Sequence, residues 1–340
     1  MPAITFSDVL IIPKYSEIRS RKEVQTRQTF KCFNLELPVF SANMKTITGS
    51  KMAVAMSEFG GMGVLHRFCS TSQAVLDFLD SLALIQYNPV KNCGVFVSVG
   101  VQSSDKERFE RLYEAGARLF CIDVAHGDHI MVREMIGWIH SKGYKGTEIM
   151  AGNVATGDGA YNLAEWGADI IKVGIGPGHA CTTRKNTGVG FPQLQALKNV
   201  REELDRQGKK VKIIADGGIE SVGDICKALK YADAVMLGKF LSGTTETPGP
   251  VFQNPKGEFY KVYAGSASGE NKNTNGQTID FVEGIAMEVP FRGHVKYLMR
   301  AIKDGIQSAC SYVGANNLEE FRTNCEFVTI SGSSKEESKI

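Results

Sequence analysis

The stretch 172–190 reads Lys-Val-Gly-Ile-Gly-Pro-Gly-His-Ala-Cys-Thr-Thr-Arg-Lys-Asn-Thr-Gly-Val-Gly, and its residue types set a nucleophile in a cradle of glycine. Gly174, Gly176 and Gly178 allow backbone conformations with positive φ and a close approach of ligands or ions to the carbonyls. Cys181 follows, with Thr182, Thr183 and Arg184 directly after it. A thiol on a polar loop beside hydroxyl and guanidinium groups is placed for covalent catalysis. The other use of such a cysteine is packing in a tight turn. That fits poorly here, because glycines, a proline and threonines make a poor core.

A second constellation lies downstream. Ala215-Asp216-Gly217-Gly218-Ile219 and Met236-Leu237-Gly238-Lys239 each end an apolar run in glycine, which leaves backbone N–H groups free to face an anion. Ser221 can start a helix whose N-terminus faces the same anion, so a phosphate site is expected there. His126 and His129 share a helical spacing but have no third ligand in view, and no metal site is expected from them.

These groups need elements to position them. Apolar strand candidates at 37–40, 62–66, 94–99, 119–123, 148–151, 169–173, 212–215 and 234–237 alternate with amphipathic stretches. One such stretch is 103–116, where Ser104 and Glu107 can form a capping box and Gly116 ends the helix. Eight βα units closing on themselves predict an α/β fold, a (β/α)8 TIM barrel forming one domain over 1–340. An open doubly wound sheet is the competitor, but after the first strand the chain has Ser41-Ala42-Asn43-Met44 instead of the dinucleotide glycine fingerprint. In a barrel the C-terminal strand ends carry chemistry, and Asn43, His66, Arg67, Asp123, Asn153, the Cys181 loop, Asp216 and Gly238 fall there. The segment 241–290, rich in Gly, Ser, Asn and Thr, reads as a mobile flap inserted after the eighth strand, and 331–340 as a tail.

Composition narrows the class. The 340 residues are 43% hydrophobic with a net charge of +2, and dispersed Lys and Arg give no footprint for a nucleic-acid polymer. No segment approaches the roughly 18 apolar residues needed to cross a membrane. The first residues lack the apolar core of a signal peptide. Eight cysteines without a CxxC pair suit a reduced, cytoplasmic protein. The final Ser-Lys-Ile is one residue from the peroxisomal Ser-Lys-Leu address, for which chance similarity is the simpler account.

Seven motifs taken together carry a resemblance. They are Thr5-Phe6-Ser7-Asp8-Val9-Leu10, Ser41-Ala42-Asn43-Met44, Asp123-Val124-Ala125-His126-Gly127, Ala151-Gly152-Asn153-Val154, the Cys181 loop, Ala215-Asp216-Gly217-Gly218 and Val289-Pro290-Phe291-Arg292-Gly293. Over nearly its whole length the chain resembles the IMP dehydrogenase/GMP reductase family. The resemblance implies a barrel with a mobile flap, GMP or IMP as substrate, a nicotinamide cofactor and a homotetramer. Within the family it is similar to the reductase branch, in Ala42-Asn43-Met44 and in the loop from Cys181 to Gln193. The dehydrogenases hydrolyse their intermediate with a flap Arg-Tyr pair, whereas this chain has no arginine between Arg206 and Arg292. The accessory domain that dehydrogenases commonly insert between the second and third barrel units is also missing. Two departures stand out: His179 replaces a usual serine two residues before the cysteine, and the flap reads Gly265-Ser266-Ala267-Ser268 with Asp280 where an arginine is often found.

Roles follow from the resemblance. It implies that Cys181 attacks purine C2, with Thr183 and Glu283 handling the departing nitrogen's proton. Nucleotide contacts fall on Asn43, Asp216, Gly217, Gly218, Gly238, Lys239, Gly265, Ser266, Ala267 and Gly284. Cofactor contacts fall on Ser20, Arg21, Arg67, Asp123, Val124, Ala125, Asn153 and Gly176, with Ser308, Ala309, Cys310 and Ser311 from a neighbouring subunit. Arg21 and Arg67 can pair with a 2′-phosphate, which favours NADPH. A K⁺ site is implied at Gly176, Gly178, Cys181 and Arg184. The alternatives are an IMP dehydrogenase lacking the accessory domain, or a purine-nucleotide-binding barrel without turnover.

Overall fold

In the computed structural model of the protein, which describes residues 3–86, 94–265 and 285–337, eight parallel strands close into a barrel. A short leading strand, β1 (Val9–Ile11), stays outside it and pairs with Phe327–Thr329. The hairpin of β2 (Gln28–Thr29) and β3 (Asn34–Leu35) comes next. The barrel strands are β4 (Val39–Ser41), β5 (Met62–Leu65), β6 (Phe96–Val99), β7 (Leu119–Asp123), β8 (Glu148–Val154), β9 (Ile170–Val173), β10 (Lys212–Asp216) and β11 (Ala234–Leu237). Each pairs with its neighbours in the chain, and β11 pairs with β4 to close the ring. The helices α1 (Ser50–Glu58), α2 (Thr71–Gln86), α3 (Ser103–Glu114), α4 (Ile130–Ser141), α5 (Gly157–Trp166), α6 (Thr183–Thr187), α7 (Gln193–Arg206) and α8 (Val222–Ala228) connect them. Of these, the short α6 lies in the cysteine loop, and a long helix, Val295–Tyr312, follows the last strand. The expected (β/α)8 barrel is therefore the fold. Among the described residues no helix is long and apolar enough to cross a membrane.

Side-chain alternation explains why nearly every strand position is buried. Val39, Leu65, Val97, Phe120, Ile122, Ile149, Ile171 and Ile213 join the core between strands and helices. Phe40, Val64, Phe96, Leu119, Cys121, Met150, Ile170 and Ile214 fill the barrel interior. From below, the β2–β3 hairpin pushes Phe30 and Phe33 into that interior. Phe33 meets Phe40 at 6.3 Å and Phe96 at 5.7 Å between ring centroids. Buried Glu148, at the start of β8, accepts from the hairpin's Lys31 N (3.2 Å) and Cys32 N (2.8 Å). The sequence does not announce this hairpin, because its strands are two residues each.

Local details correct two expectations. Helix α3 starts one residue before Ser104, so its third position is Asp105, whose carboxylate accepts from Gln102 N (3.0 Å) and Gly100 N (2.9 Å). The capping box is thus Gln102–Asp105; Ser104 and Glu107 face solvent. Gly116 ends the helix as expected, with φ +106°. In the cysteine loop, Gly174 and Gly176 take positive φ but Gly178 does not. The described ends of the flap form an antiparallel sheet, β12 (Phe252–Gln253), β13 (Phe259–Ala264) and β14 (Ala286–Pro290).

Continuing the inward alternation by one step reaches charge. After Cys121, Ile170 and Ile214 the next inward positions are Asp123, Lys172 and Asp216. Lys172 is 1% exposed, and its Nζ lies 3.3 Å from Asp123 Oδ1, 3.4 Å from Asp216 Oδ2 and 3.4 Å from Asn43 Oδ1. Gly152 lies between Asp123 and Lys172 in register, and a Cβ there would come within 2.6 Å of Lys172 Cβ. Burial works against a charged lysine, but Cys121, Asp216 and Asp123 outweigh it and hold Lys172 above the ordinary range. Burial likewise opposes the Asp123 carboxylate, and Lys172 with Arg67 reverses that, leaving it below the usual value.

Two substitutions test this core. Lys172→Met strands two carboxylates in the barrel and should cost about 3–5 kcal/mol of stability in urea unfolding, with part regained on adding Asp123→Asn. A loss under about 1 kcal/mol would mean that the charges are not held as described. Phe40→Ala, at a fully buried ring, should cost about 3–5 kcal/mol by the same measurement.

Candidate active site

Above the charged layer, at the C-terminal ends of the strands, lies a cavity of about 350 Å³. Asn43, Arg67, Asp123, Val124, Ala125, Asn153, Lys172, Gly176, Gly178, Cys181, Thr183, Asp216, Gly217 and Gly265 all line it. Residues spread over most of the chain thus meet in one place, as strand-end placement predicts. Phe68 and Tyr263 line it too, and sequence reasoning singles out neither these nor Lys172. A lysine inside Ile-Ile-Lys-Val was the available signal for Lys172; Tyr263 gave none.

Cys181 is half-buried, and its Sγ lies 3.1 Å from Thr183 Oγ1. Its N–H donates to Gly178 O at 3.0 Å, which closes the turn that directs the thiol toward the cavity. The loop is fixed at both ends. Gly174 passes so close to β10 that a Cβ would fall 2.0 Å from Asp216 O, and Gln193 Nε2 donates to Val173 O (2.7 Å) and Asp216 O (3.2 Å). The Arg184 guanidinium donates to Phe191 O, with its stem against Gly176 and Gly190. Ile285 N donates to Ala180 O at 3.1 Å, so the flap's returning end is rooted beside Cys181.

Around the thiol the polar groups fall into two sets. Asn153 Nδ2 donates to Gly174 O (2.8 Å) and Asp216 Oδ2 (2.9 Å), which leaves the other Asp216 oxygen for a ligand hydroxyl. On the opposite side, Arg67 Nε donates to Asp123 O at 3.1 Å, and its loop is pinned by buried Arg108, which donates to Arg67 O and Cys69 O. At the end of β5, burial first, then Lys45 and Arg108, push His66 down to about 4, so its ring is neutral at physiological pH.

Adjoining the main cavity is a recess of about 80 Å³, lined by Gly178, His179, Gly217, Gly218, Gly238 and Lys239 among others. Ser221 accepts from Asp224 N at 3.1 Å and caps α8, as expected, but neither it nor the first turn of α8 lines the recess. The glycine-lined recess and the main cavity share Met44, Asp216, Gly217 and Tyr263, so one ligand can span both.

Some expected residues are not brought here. Arg21 donates to Ser308 Oγ at 3.4 Å, and neither they nor Ser20, Ala309 or Ser311 line the cavity. Cys310 is fully buried in the core and offers no side chain to a ligand. Ser266, Ala267, Glu283 and Gly284 lie outside the described residues. Among the described residues no group of three or more His, Cys, Asp or Glu is arranged to hold a metal ion.

Comparison with known proteins agrees with this geometry. A model of the IMP dehydrogenase / GMP reductase domain matches residues 3–340. GMP reductase 1 of Mus musculus is 37% identical over 96% of this chain and 95% of its own length, and GMP reductase 1 of Homo sapiens matches with the same identity and coverage. The inosine-5′-monophosphate dehydrogenase of Borreliella burgdorferi is 32% identical over 99% of the chain and 96% of its own length. Among solved structures, a cysteine-to-alanine variant of the GMP reductase of Trypanosoma brucei, in complex with guanosine 5′-monophosphate, superposes with a TM-score of 0.92 at 26% identity, covering 100% of this chain and 98% of that one. A strand-end cysteine loop, a glycine recess and a matching fold agree, and the chain belongs to the IMP dehydrogenase/GMP reductase family.

Proposed function

We propose that the protein is an oxidoreductase that converts GMP to IMP and ammonia, with NADPH as reductant and Cys181 as the covalent nucleophile. One observation carries this: the Cys181–Thr183 pair faces a cavity that runs into a glycine-lined recess of the size and chemistry for a phosphate. With phosphate in the recess and ribose hydroxyls on Asp216, the base extends toward Cys181.

The thiolate adds to purine C2 and forms a C–S bond. The exocyclic amine takes a proton and leaves as ammonia, breaking the C–N bond. Thr183, whose hydroxyl reaches the sulfur, is placed to pass that proton, with Glu283 as its partner. NADPH, when bound, supplies a hydride to C2, and the C–S bond breaks to return the thiolate and release IMP. Arg67, Asp123, Val124, Ala125 and Asn153 form the wall beside Cys181 and suit the nicotinamide end. Arg21, Ser308, Ala309 and Ser311 are assigned to the cofactor's far end across a neighbouring copy in a homotetramer, and buried Cys310 is not. The donor chemistry at Gly176, Gly178, Cys181 and Arg184 fits K⁺: a carbonyl has two lone pairs, and Gly178 O and Arg184 O each accept only one bond within the loop. The ion would steady the cysteine loop.

Two experiments test this. Cys181→Ala should abolish GMP reduction while GMP still binds, measured by NADPH oxidation and by calorimetry; substantial residual turnover rules out the covalent step. The wild-type protein in K⁺ buffer should oxidise NADPH only when GMP is present and release IMP and ammonia, with slower rates when a bulky organic cation replaces K⁺. Sustained formation of xanthosine monophosphate from IMP and NAD would instead make it a dehydrogenase that uses another base in place of the missing flap arginine.

A further inference from the structure

Of the described residues lining the small recess, Lys239 is the only lysine or arginine, and it does not stand alone. Lys239 opens the turn after β11, His179 sits in the cysteine loop, and Glu220 follows β10, so three separate segments converge. Lys239 Nζ lies 3.1 Å from His179 Nδ1, and Glu220 Oε1 lies 3.4 Å from the same nitrogen. Among the described residues no carboxylate is within ion-pair distance of Lys239. Of the two carboxylates lining the recess, Asp216 is engaged by Lys172 and Asn153. Glu220 is held through its backbone N–H, which donates to Asp224 Oδ2 at 3.2 Å; its side chain is 70% exposed and free to turn away.

An ammonium parked on an imidazole, in a recess lined by glycine, is ready for an anion. We propose that Lys239, steadied by His179, is the cation that takes the substrate's phosphate, and that Glu220 is a resident anion which the phosphate displaces from this corner. His179 is a positioning residue: without it the long lysine side chain loses more rotamer entropy on reaching the recess. Lys239 thereby sets the preference for a nucleotide over its nucleoside, and Glu220 opposes binding by like charge. This rests on the reading of the cavity as a GMP site.

Calorimetric titration with GMP and with guanosine separates the possibilities. A charge-assisted bond in this partly exposed recess should make Lys239→Met bind GMP about ten- to a hundredfold more weakly while guanosine affinity stays the same. His179→Ser should show a smaller loss with the same selectivity, and Glu220→Gln should bind GMP about two- to fivefold more tightly. Unchanged GMP affinity in Lys239→Met, or an equal loss for guanosine, overturns the role of Lys239. A Glu220→Gln protein that binds no more tightly than wild type removes Glu220 from it. Wild-type protein that binds no GMP defeats the site reading itself, a result distinct from either.

Discussion

The site depends on one buried ammonium. Lys172 stands where the apolar filling of the barrel ends, and every polar group that matters above it is fixed relative to its charge. It meets Asp216 on the side proposed for the nucleotide and Asp123 on the side proposed for the cofactor. A lone buried cation would be intolerable, and two facing carboxylates equally so. Together they form a set in which each member makes the others' charged states favourable. The arrangement requires a glycine at 152, because any side chain there would force β9 away from β8.

That arrangement separates holding from reacting. The charged layer is rigid, backed by aromatic rings and the plugging hairpin. The Cys181 thiol sits on a loop whose ends are tied to β10 by Gly174 and Gln193, with a turn between them that belongs to neither strand. On the proposed function, the thiol can therefore be held close to the substrate without being part of the core. The flap contributes from the far side through the bond between Ile285 and Ala180, which places its end one residue from the cysteine.

Much of this was legible in the residues. Eight apolar runs marked the barrel strands, and glycine density around Cys181 marked the loop that lines the cavity. The strand-end rule then placed Asn43, Asp123 and Asp216 in one cavity. What was not legible depends on neighbours in space. Lys172 lay in plain view within an apolar run, but its partners are 49 and 44 residues away. The cap of α3 differed because Gln-x-x-Asp and Ser-x-x-Glu overlap in the sequence, and only backbone geometry chooses between them. The plugging hairpin is too short to show a period. Arg21 and Ser308 meet each other rather than the cavity, which a single chain's sequence cannot reveal.

The plug of Phe30 and Phe33 has a consequence for access. It seals the lower end of an interior that side chains already fill, so the cavity opens toward the rim where the strands end. On the proposed function, nucleotide and reductant would enter and leave by that one mouth, each in the other's way. The restriction is set at the floor of the barrel, by two rings that do not line the cavity.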